Sequence, residues 1–232
     1  MPERESFGEP VPVSALLAGL SEQEQAAIMA QGTRRQFRPG DTIFRQGDAA
    51  ERCYLVLRGR LKLLKLHEQG KEAVMRYVGA GQVTAAIALL KEREYPVTAQ
   101  AIGAVEVLGW ERAAINRLLV AYPRMTLNIM RMLLDRLEEL QNRYLELRAE
   151  QVEQRIARAL LRLMRHSGRR TEQGVLIDFS LSRQELADYT ATTLYTVSRT
   201  LSAWEKKGWI ASGRERITVT EPHALVEFAE KG

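Results

Sequence analysis

The apolar residues of this chain change period near residue 112, from about two to about three and a half, so one stretch must form sheet and the next long helix. Over residues 32–110 apolar and polar side chains alternate in short runs, CYLVL, LKLLKL, AVMRYV, TAQAI and VEVLGW. Glycine-bearing turns separate them: RPGDTIF, RQGDAAE, LRGRLKLL, HEQGKEA and GAGQV. Each run is expected to be an antiparallel strand burying one face, and several at this spacing predict a jelly-roll or related double-sheet domain. A helix is expected ahead of it over 14–31, and a helical turn, AAIALLKERE at 85–94, interrupts it.

Past residue 113 a short helix, AAINRLLVAYP, leads into a long one at 124–150. There Met130, Leu133, Leu137, Leu140, Tyr144 and Leu147 recur at alternating steps of three and four. That spacing is the seam of two helices wound together, and Arg131, Asp135, Arg136, Glu138, Glu139, Arg143 and Arg148 occupy the other faces. The seam is satisfied either by the same helix of a second copy or by packing on the chain's own β domain. A homodimer accounts better for a helix that is long, polar elsewhere and set between two domains.

Composition narrows the classes of function. The 232 residues are 45% hydrophobic and 27% charged, enough for a sizeable core, with a net charge of +5 that favours an anionic partner without naming one. The single cysteine, Cys53, excludes an intrachain disulfide and any cluster needing several thiolates from one chain. No apolar run approaches the ~20 residues that span a bilayer, and the acidic, polar start MPERESFGEPVPV is unlike a signal peptide, so a cytoplasmic protein with no membrane partner is expected. No phosphate-binding loop, zinc-protease, nucleophile-elbow or clustered His–carboxylate motif occurs, so the chain is not expected to be an enzyme.

The C-terminal third carries the most informative spacing. After a helix at 152–167, a loop GRRTEQG and a strand VLIDF, Ser182 can cap a helix with Glu185 three residues on, and Leu186 and Tyr189 point inward. A tight turn, TAT, follows, after which Thr192 is expected to cap a second helix. In it Leu194, Val197 and Leu201 face inward, while Thr193, Tyr195, Thr196, Ser198 and Arg199 project outward. This is a helix-turn-helix pattern, whose second helix can enter a DNA major groove. Two short β runs around Ser212-Gly213-Arg214 make a following wing, with Arg214 and Arg216 placed to meet phosphates, and Arg183 at the head of the first helix joins the DNA-facing set. An unrelated helical hairpin would share the bare spacing but not the basic wing or the seam helix before it.

The order of parts, PGDTIFRQGD and YLVLRGRLKL in the β domain, then the seam helix, then SRQELADYTATTLYTVSRTLSAWEKKGWI and a wing, resembles the CRP/FNR superfamily of bacterial transcription regulators over nearly the whole chain. The resemblance implies an α+β chain. Its parts would be a double-stranded β-helix (jelly-roll, cyclic-nucleotide-binding-like) sensor at 1–120, a coiled-coil dimerisation helix at 121–150 and a winged helix-turn-helix domain at 151–232. The partners it implies are a palindromic double-stranded DNA operator, a second copy of the chain and, for an activator, RNA polymerase. In the family's E-x-x-S-R reading motif, Ser198 and Arg199 match and Tyr195 replaces the Glu. Arg199 would then take a guanine through a bidentate pair, with Ser198 on the neighbouring base.

The same resemblance bears on the effector. Where cyclic-nucleotide members carry Gly-Glu for the ribose and Arg-Ser for the phosphate, this chain has Ala85-Ala86 and Tyr95-Pro96. A cyclic phosphate would lose its charge-assisted hydrogen bonds there, so cyclic nucleotide binding is not expected, and another ligand would take an effector pocket at these four residues. The phrases YPVTAQA, TTLYTVSRTLSAWE and ERITVTEPHALVEFAE are similar to the nitric-oxide-responsive regulators of denitrification, NnrR and DNR, which implies nitric oxide sensing, haem b as the cofactor and control of nitrogen-oxide genes. Alternatives are a regulator with a different small-molecule effector and a ligand-independent dimeric DNA-binding protein. His67, at a β-turn, is the candidate haem ligand, against an ordinary solvated turn residue. His166 at a helix end and His223 beside Pro222 have structural explanations. Tyr54 and Tyr77 can approach a sensor pocket, Cys53 reads as a small buried hydrophobe, and Pro2 lacks the companion pattern of the carbon-monoxide-sensing branch.

Overall fold

The computed structural model describes residues 14–66, 72–86 and 94–230. A 3-10 turn at Ala15–Leu17 precedes α1 (Glu22–Ala30), so the helix expected over 14–31 is broken. The break has a local cause: Gly19 turns the chain at φ +74° and Ser21 starts a fresh helix with a full capping box to Glu24.

Six strands follow: β1 (Thr33–Phe37), β2 (Thr42–Phe44), β3 (Arg52–Leu66), β4 (Glu72–Gly79), β5 (Val83–Thr84) and β6 (Thr98–Glu111). All pair antiparallel, in the order β1-β6-β3-β4, with β2 also on β6 and β5 also on β3. Two expected strand pairs turn out to be single long strands. CYLVL and LKLLKL form β3, and TAQAI and VEVLGW form β6. The glycines between them are corners within a continuous ladder. Gly59 and Gly103 have φ of +76° and +73°, and the β3–β6 register shifts beside Arg58. At Gly59 a Cβ would meet the Ala104 carbonyl, so that corner requires glycine. These bends fold one ladder into the two faces of a sandwich.

The first half of β3 buries both faces, against the expectation of one. Cys53, Leu55 and Leu57 pack with Ile28, Trp110, Ile115 and Met125 under the helices, while Tyr54 and Val56 join Phe44, Tyr95 and Val107 inside the sandwich. The Trp110 indole N–H donates to the Ile28 carbonyl at 3.0 Å, closing the helical layer onto the sheet.

From the sandwich the chain enters α2 (Arg112–Ala121), the long α3 (Pro123–Ala149) and α4 (Val152–Ser167). Met125, Asn128 and Ile129 anchor the first turns of α3, with Asn128 donating to the carbonyls of Leu16 and Ala18 at 2.9 Å each. The expected loop GRRTEQG is instead β7 (Gly168–Thr171), paired with β8 (Gly174–Ile177) through the tight turn between them. Then come α5 (Arg183–Tyr189), α6 (Leu194–Lys206), β9 (Ile210–Gly213), β10 (Arg216–Val219) and α7 (Pro222–Glu230), the second sheet running β7-β8-β10-β9.

The two ends of the molecule share a core. Leu64, Val74 and Tyr77 of the sandwich pack with Ile156, Leu160, Leu186 and Tyr189, and Tyr77 lies between Phe179 and Tyr189 with ring centroids 4.7 and 5.9 Å away. Lys62 pairs with Glu185 at 3.0 Å, and Arg143 donates to the carbonyls of Met75 and Tyr189. No described helix is long and apolar enough to cross a membrane.

Candidate nucleic-acid interface

Ser182 caps α5 as expected, accepting from the Glu185 N–H at 3.1 Å while the Glu185 carboxylate accepts from the Ser182 N–H at 3.0 Å. Burial works against the Glu185 charge, but the Ser182 N–H, the Lys62 ammonium and the Ser182 hydroxyl outweigh it, and its carboxyl sits below the usual range. The turn after α5 places Ala191 in the left-handed region at φ +50°. Arg155 of α4 closes this turn by donating to the carbonyls of Thr190 and Ala191, each at 3.4 Å.

The cap of α6 is Thr193, not Thr192: its hydroxyl accepts from the Thr196 N–H at 3.1 Å. A one-residue longer turn shifts the helix start and leaves Leu194 exposed, where the sequence pattern had placed it inward. Val197, Thr200, Leu201 and Trp204 form the buried face. Tyr195 is 75% exposed, Thr193 and Arg199 are exposed, and Thr196 and Ser198 are half-buried, so the N-terminal half of α6 presents these five side chains together. Arg199 pairs with Glu153 at 3.0 Å across to the first turn of α4. Sequence reasoning missed that contact because the two residues are far apart in the chain.

The wing is the β9–β10 hairpin, with Ile210 opposite Val219 and Gly213 opposite Arg216. Arg214 and Arg216 are exposed at its tip, where Glu215 turns the chain at φ +57°. Arg183 donates to the Ser212 hydroxyl at 3.3 Å, and Ser212 in turn hydrogen bonds to Glu205, so Arg183 belongs to the join between α5 and the wing. Below the interface Trp204, Trp209 and Phe228 pack their rings together and hold α6 against α7. A rigid helix with an exposed polar N-terminal face beside a basic hairpin is suited to reading a groove while holding phosphates.

On α3 the seam residues are not covered by their own chain. Met130, Leu133, Leu137, Leu140, Tyr144 and Leu147 are all exposed, as are Leu127, Leu134 and Leu145 beside them. Packing on the chain's own β domain therefore uses Met125, Asn128, Ile129 and, partly buried, Met132, and not the seam residues.

The four residues assigned to an effector pocket are not gathered into one cavity. Ala85, at φ +66°, packs against both the helical and the interior clusters, and Ala86 against the helical one. Tyr95 is buried, its ring 4.2 Å from that of Phe44, and its hydroxyl accepts from the Arg52 N–H and donates to the Arg52 carbonyl. Pro96 is exposed and, with Tyr95, Gln46, Lys65 and Arg112, borders an open cleft that Ala85 and Ala86 do not line. An aromatic plug thus stands where the resemblance would put the phosphate fork. The stretch 87–93 of the expected helical turn, His67 with most of its turn, and Pro2 lie outside the described residues.

Among the described residues no group of three or more His, Cys, Asp or Glu is arranged to hold a metal ion. Cys53 is buried and its thiol is pushed up to about 12 by burial, which makes it a packing residue. Tyr54 belongs to the interior aromatic cluster with Phe44, and Tyr77 to the junction of the two domains. His223 pairs with Glu227 at 3.1 Å on the surface. His166, in the last turn of α4, is held below the ordinary imidazole range, by burial first and then by Arg76, Arg165 and Arg60 against the opposing pull of Glu139.

Residues 34–122 match the cyclic nucleotide-binding domain family and residues 154–228 the Crp-like helix-turn-helix domain family. The chain is 32% identical over 216 residues to the cyclic AMP receptor protein of Thermus thermophilus, covering 93% of this chain and 97% of that protein. It is 30% identical to the global nitrogen regulator of Synechococcus elongatus, covering 82% and 86% of the two chains. Among solved structures, a CRP-family transcriptional regulator from Thermus thermophilus superposes with a TM-score of 0.71 at 27% identity, covering 85% of this chain and 97% of that one. Matched along both domains and joined by the exposed seam helix, the chain belongs to the CRP/FNR family of DNA-binding transcription regulators.

Proposed function

We propose that two copies of this chain pair along α3 and grip a palindromic operator, each inserting the N-terminal half of α6 into the major groove. The supporting observation is the presence in one chain of an uncovered leucine seam and an exposed polar face on α6. Half-sites would lie about one DNA turn apart, ~34–36 Å between centres. Arg199 leaves Glu153 to take a guanine, Ser198 and Tyr195 flank it, and Arg214 and Arg216 meet the adjoining phosphates. Selection from a random duplex library tests this: recovery of an inverted repeat with that spacing supports it, and recovery of a single half-site or of no consensus refutes it.

The effector reading is nitric oxide, acting through haem b on genes of nitrogen-oxide metabolism, with RNA polymerase as a partner if the regulator activates. It rests on the similarity of YPVTAQA, TTLYTVSRTLSAWE and ERITVTEPHALVEFAE to that branch, and on His67 as axial ligand. Cyclic AMP, named for the Thermus relative, is not favoured, because Ala85, Ala86, Tyr95 and Pro96 offer no cation to a cyclic phosphate. A stoichiometric Soret band on haem reconstitution, with operator affinity that responds to nitric oxide, is the expected result. No specific haem uptake and unchanged operator affinity refute the haem reading and favour another ligand or none.

A further inference from the structure

We infer that a small multivalent oxyanion binds in the cavity where the sandwich, the long helix and the DNA-binding domain meet. The cavity has a volume of 320 Å³, near the lower end of the ~300–1,000 Å³ typical of ligand sites. Four guanidinium groups border it, each from a different element: Arg60 of β3, Arg76 of β4, Arg136 of α3 and Arg162 of α4. Asp135 and Glu139 are the acidic residues of the lining, and Glu146 outside it holds Arg162, which leaves a surplus of one positive charge.

The arginines are not equally engaged. Arg136 is held by Glu139 and Arg162 by Glu146, each pair at 2.5 Å. Arg60 makes one long hydrogen bond, 3.4 Å to the Asp178 carbonyl, and lies over the Phe179 ring. Arg76 has no hydrogen-bond or ion-pair partner among the described residues. Burial disfavours its charge, the neighbouring Arg136 adds to that, and Glu139 offsets them only in part. Tyr77, 8% exposed, forms part of the wall, and its buried hydroxyl also lacks a hydrogen-bond partner. Under-paired guanidinium groups converging on a small cavity are the donor set that recognises phosphate or a polycarboxylate through forked hydrogen bonds, and an incoming anion relieves the desolvated charge.

On α3 the cavity is lined by Met132, Asp135, Arg136 and Glu139, which lie off the row of Leu133, Leu137 and Leu140. An anion joining Arg60 and Arg76 to Arg136 and Arg162 holds the DNA-binding domain in its present position on the sandwich, and shifts population toward that arrangement in proportion to its preference for it. The effect on operator binding rests on the DNA-binding reading; the binding of the anion does not.

The test titrates inorganic phosphate into the full chain at constant ionic strength, following the thermal midpoint and the heat of binding without DNA. A saturable rise in midpoint is expected. Arg76→Gln should raise the half-saturating concentration by about tenfold or more, the loss of one charge-assisted contact. Glu139→Gln, which removes a competing carboxylate and frees Arg136, should lower it. Arg76→Gln removes a half-buried charge that no acceptor among the described residues holds, so it should fold, and Arg76→Lys should fall between it and the parent. A parallel titration with a nucleoside 5′-monophosphate separates the sources: tighter binding of the ester assigns a phosphorylated metabolite, tighter binding of the ion assigns free phosphate. No saturable response to either probe, or equal half-saturation for the parent and Arg76→Gln, overturns the site.

Discussion

Leu137→Glu offers the sharpest test of the seam. Leu137 stands 53% exposed on α3, one of a row of uncovered apolar side chains that intrachain packing does not use. Full burial of a leucine side chain is worth about 1.5–3 kcal/mol, so covering its exposed half contributes roughly 0.8–1.5 kcal/mol per protomer and twice that per dimer. Losing that term alone weakens dimerisation by about one to two orders of magnitude at 1.4 kcal/mol per decade. The variant goes further, because two carboxylates would face each other across a two-fold seam, where like charges with little access to water repel and bear a desolvation cost. Sedimentation equilibrium at low micromolar protein should therefore give monomers for the variant and dimers for the parent, with far-ultraviolet circular dichroism unchanged because Leu137 belongs to none of the buried clusters of its own chain. Operator affinity should fall with the dimer, leaving weak, salt-sensitive binding. An intact dimer in the variant would refute the seam, and unfolding of the monomer would refute the claim that Leu137 makes no intrachain contribution.

Arg199→Ala should cost on the order of 1–3 kcal/mol on the operator and relax preference at one base pair, whereas Arg214→Ala should weaken specific and random DNA alike and flatten the salt dependence. Binding isotherms on both DNAs across a salt series distinguish them, and equal losses for Arg199 would remove it as a base reader. Stability should move by less than about 1 kcal/mol with Arg199, since its pair with the half-buried Glu153 leaves the guanidinium largely in solvent. Ala85 occupies a left-handed conformation at φ +66°, so Ala85→Gly should stabilise by about 1 kcal/mol, seen as a rise of roughly 2–4 °C in the melting midpoint; a lower midpoint would show that the lost methyl contact outweighs the relieved strain. The Glu185 carboxyl lies below its ordinary range in the folded chain, so its stabilisation is present at neutral pH and lost as pH falls through the depressed folded value. Glu185→Gln should then be less stable than the parent at neutral pH, with the gap closing in acid. A gap in urea midpoints independent of pH would contradict that account.

Local chemistry made much of the reading side legible. The capping box of Ser182 and Glu185, the inward positions of Leu186, Tyr189, Val197 and Leu201, and the outward positions of Tyr195 and Arg199 all depend on neighbours within a turn or two of helix. The seam was legible for the same reason, as a period that one helix displays by itself. The errors came where local signals have two meanings. Gly59 and Gly103 mark bends in one ladder as readily as turns between two strands, and only the β3–β6 pairing distinguishes them. Thr192 and Thr193 are both competent caps, and the length of the preceding turn chose the second.

The sequence by itself determined the order of parts, the outward polar positions of Tyr195 and Arg199 on α6 and the uncharged residues Ala85, Ala86, Tyr95 and Pro96, because each is written in residue type and short-range spacing. Only the tertiary structure decided that Tyr95 packs as a plug on Phe44, that Arg199 rests on Glu153, that Tyr77 bridges into the DNA-binding core and that four arginines from four elements share one cavity. Those are contacts between segments distant in the chain, set by how sheet and helices pack against one another, and no periodicity within a segment encodes them.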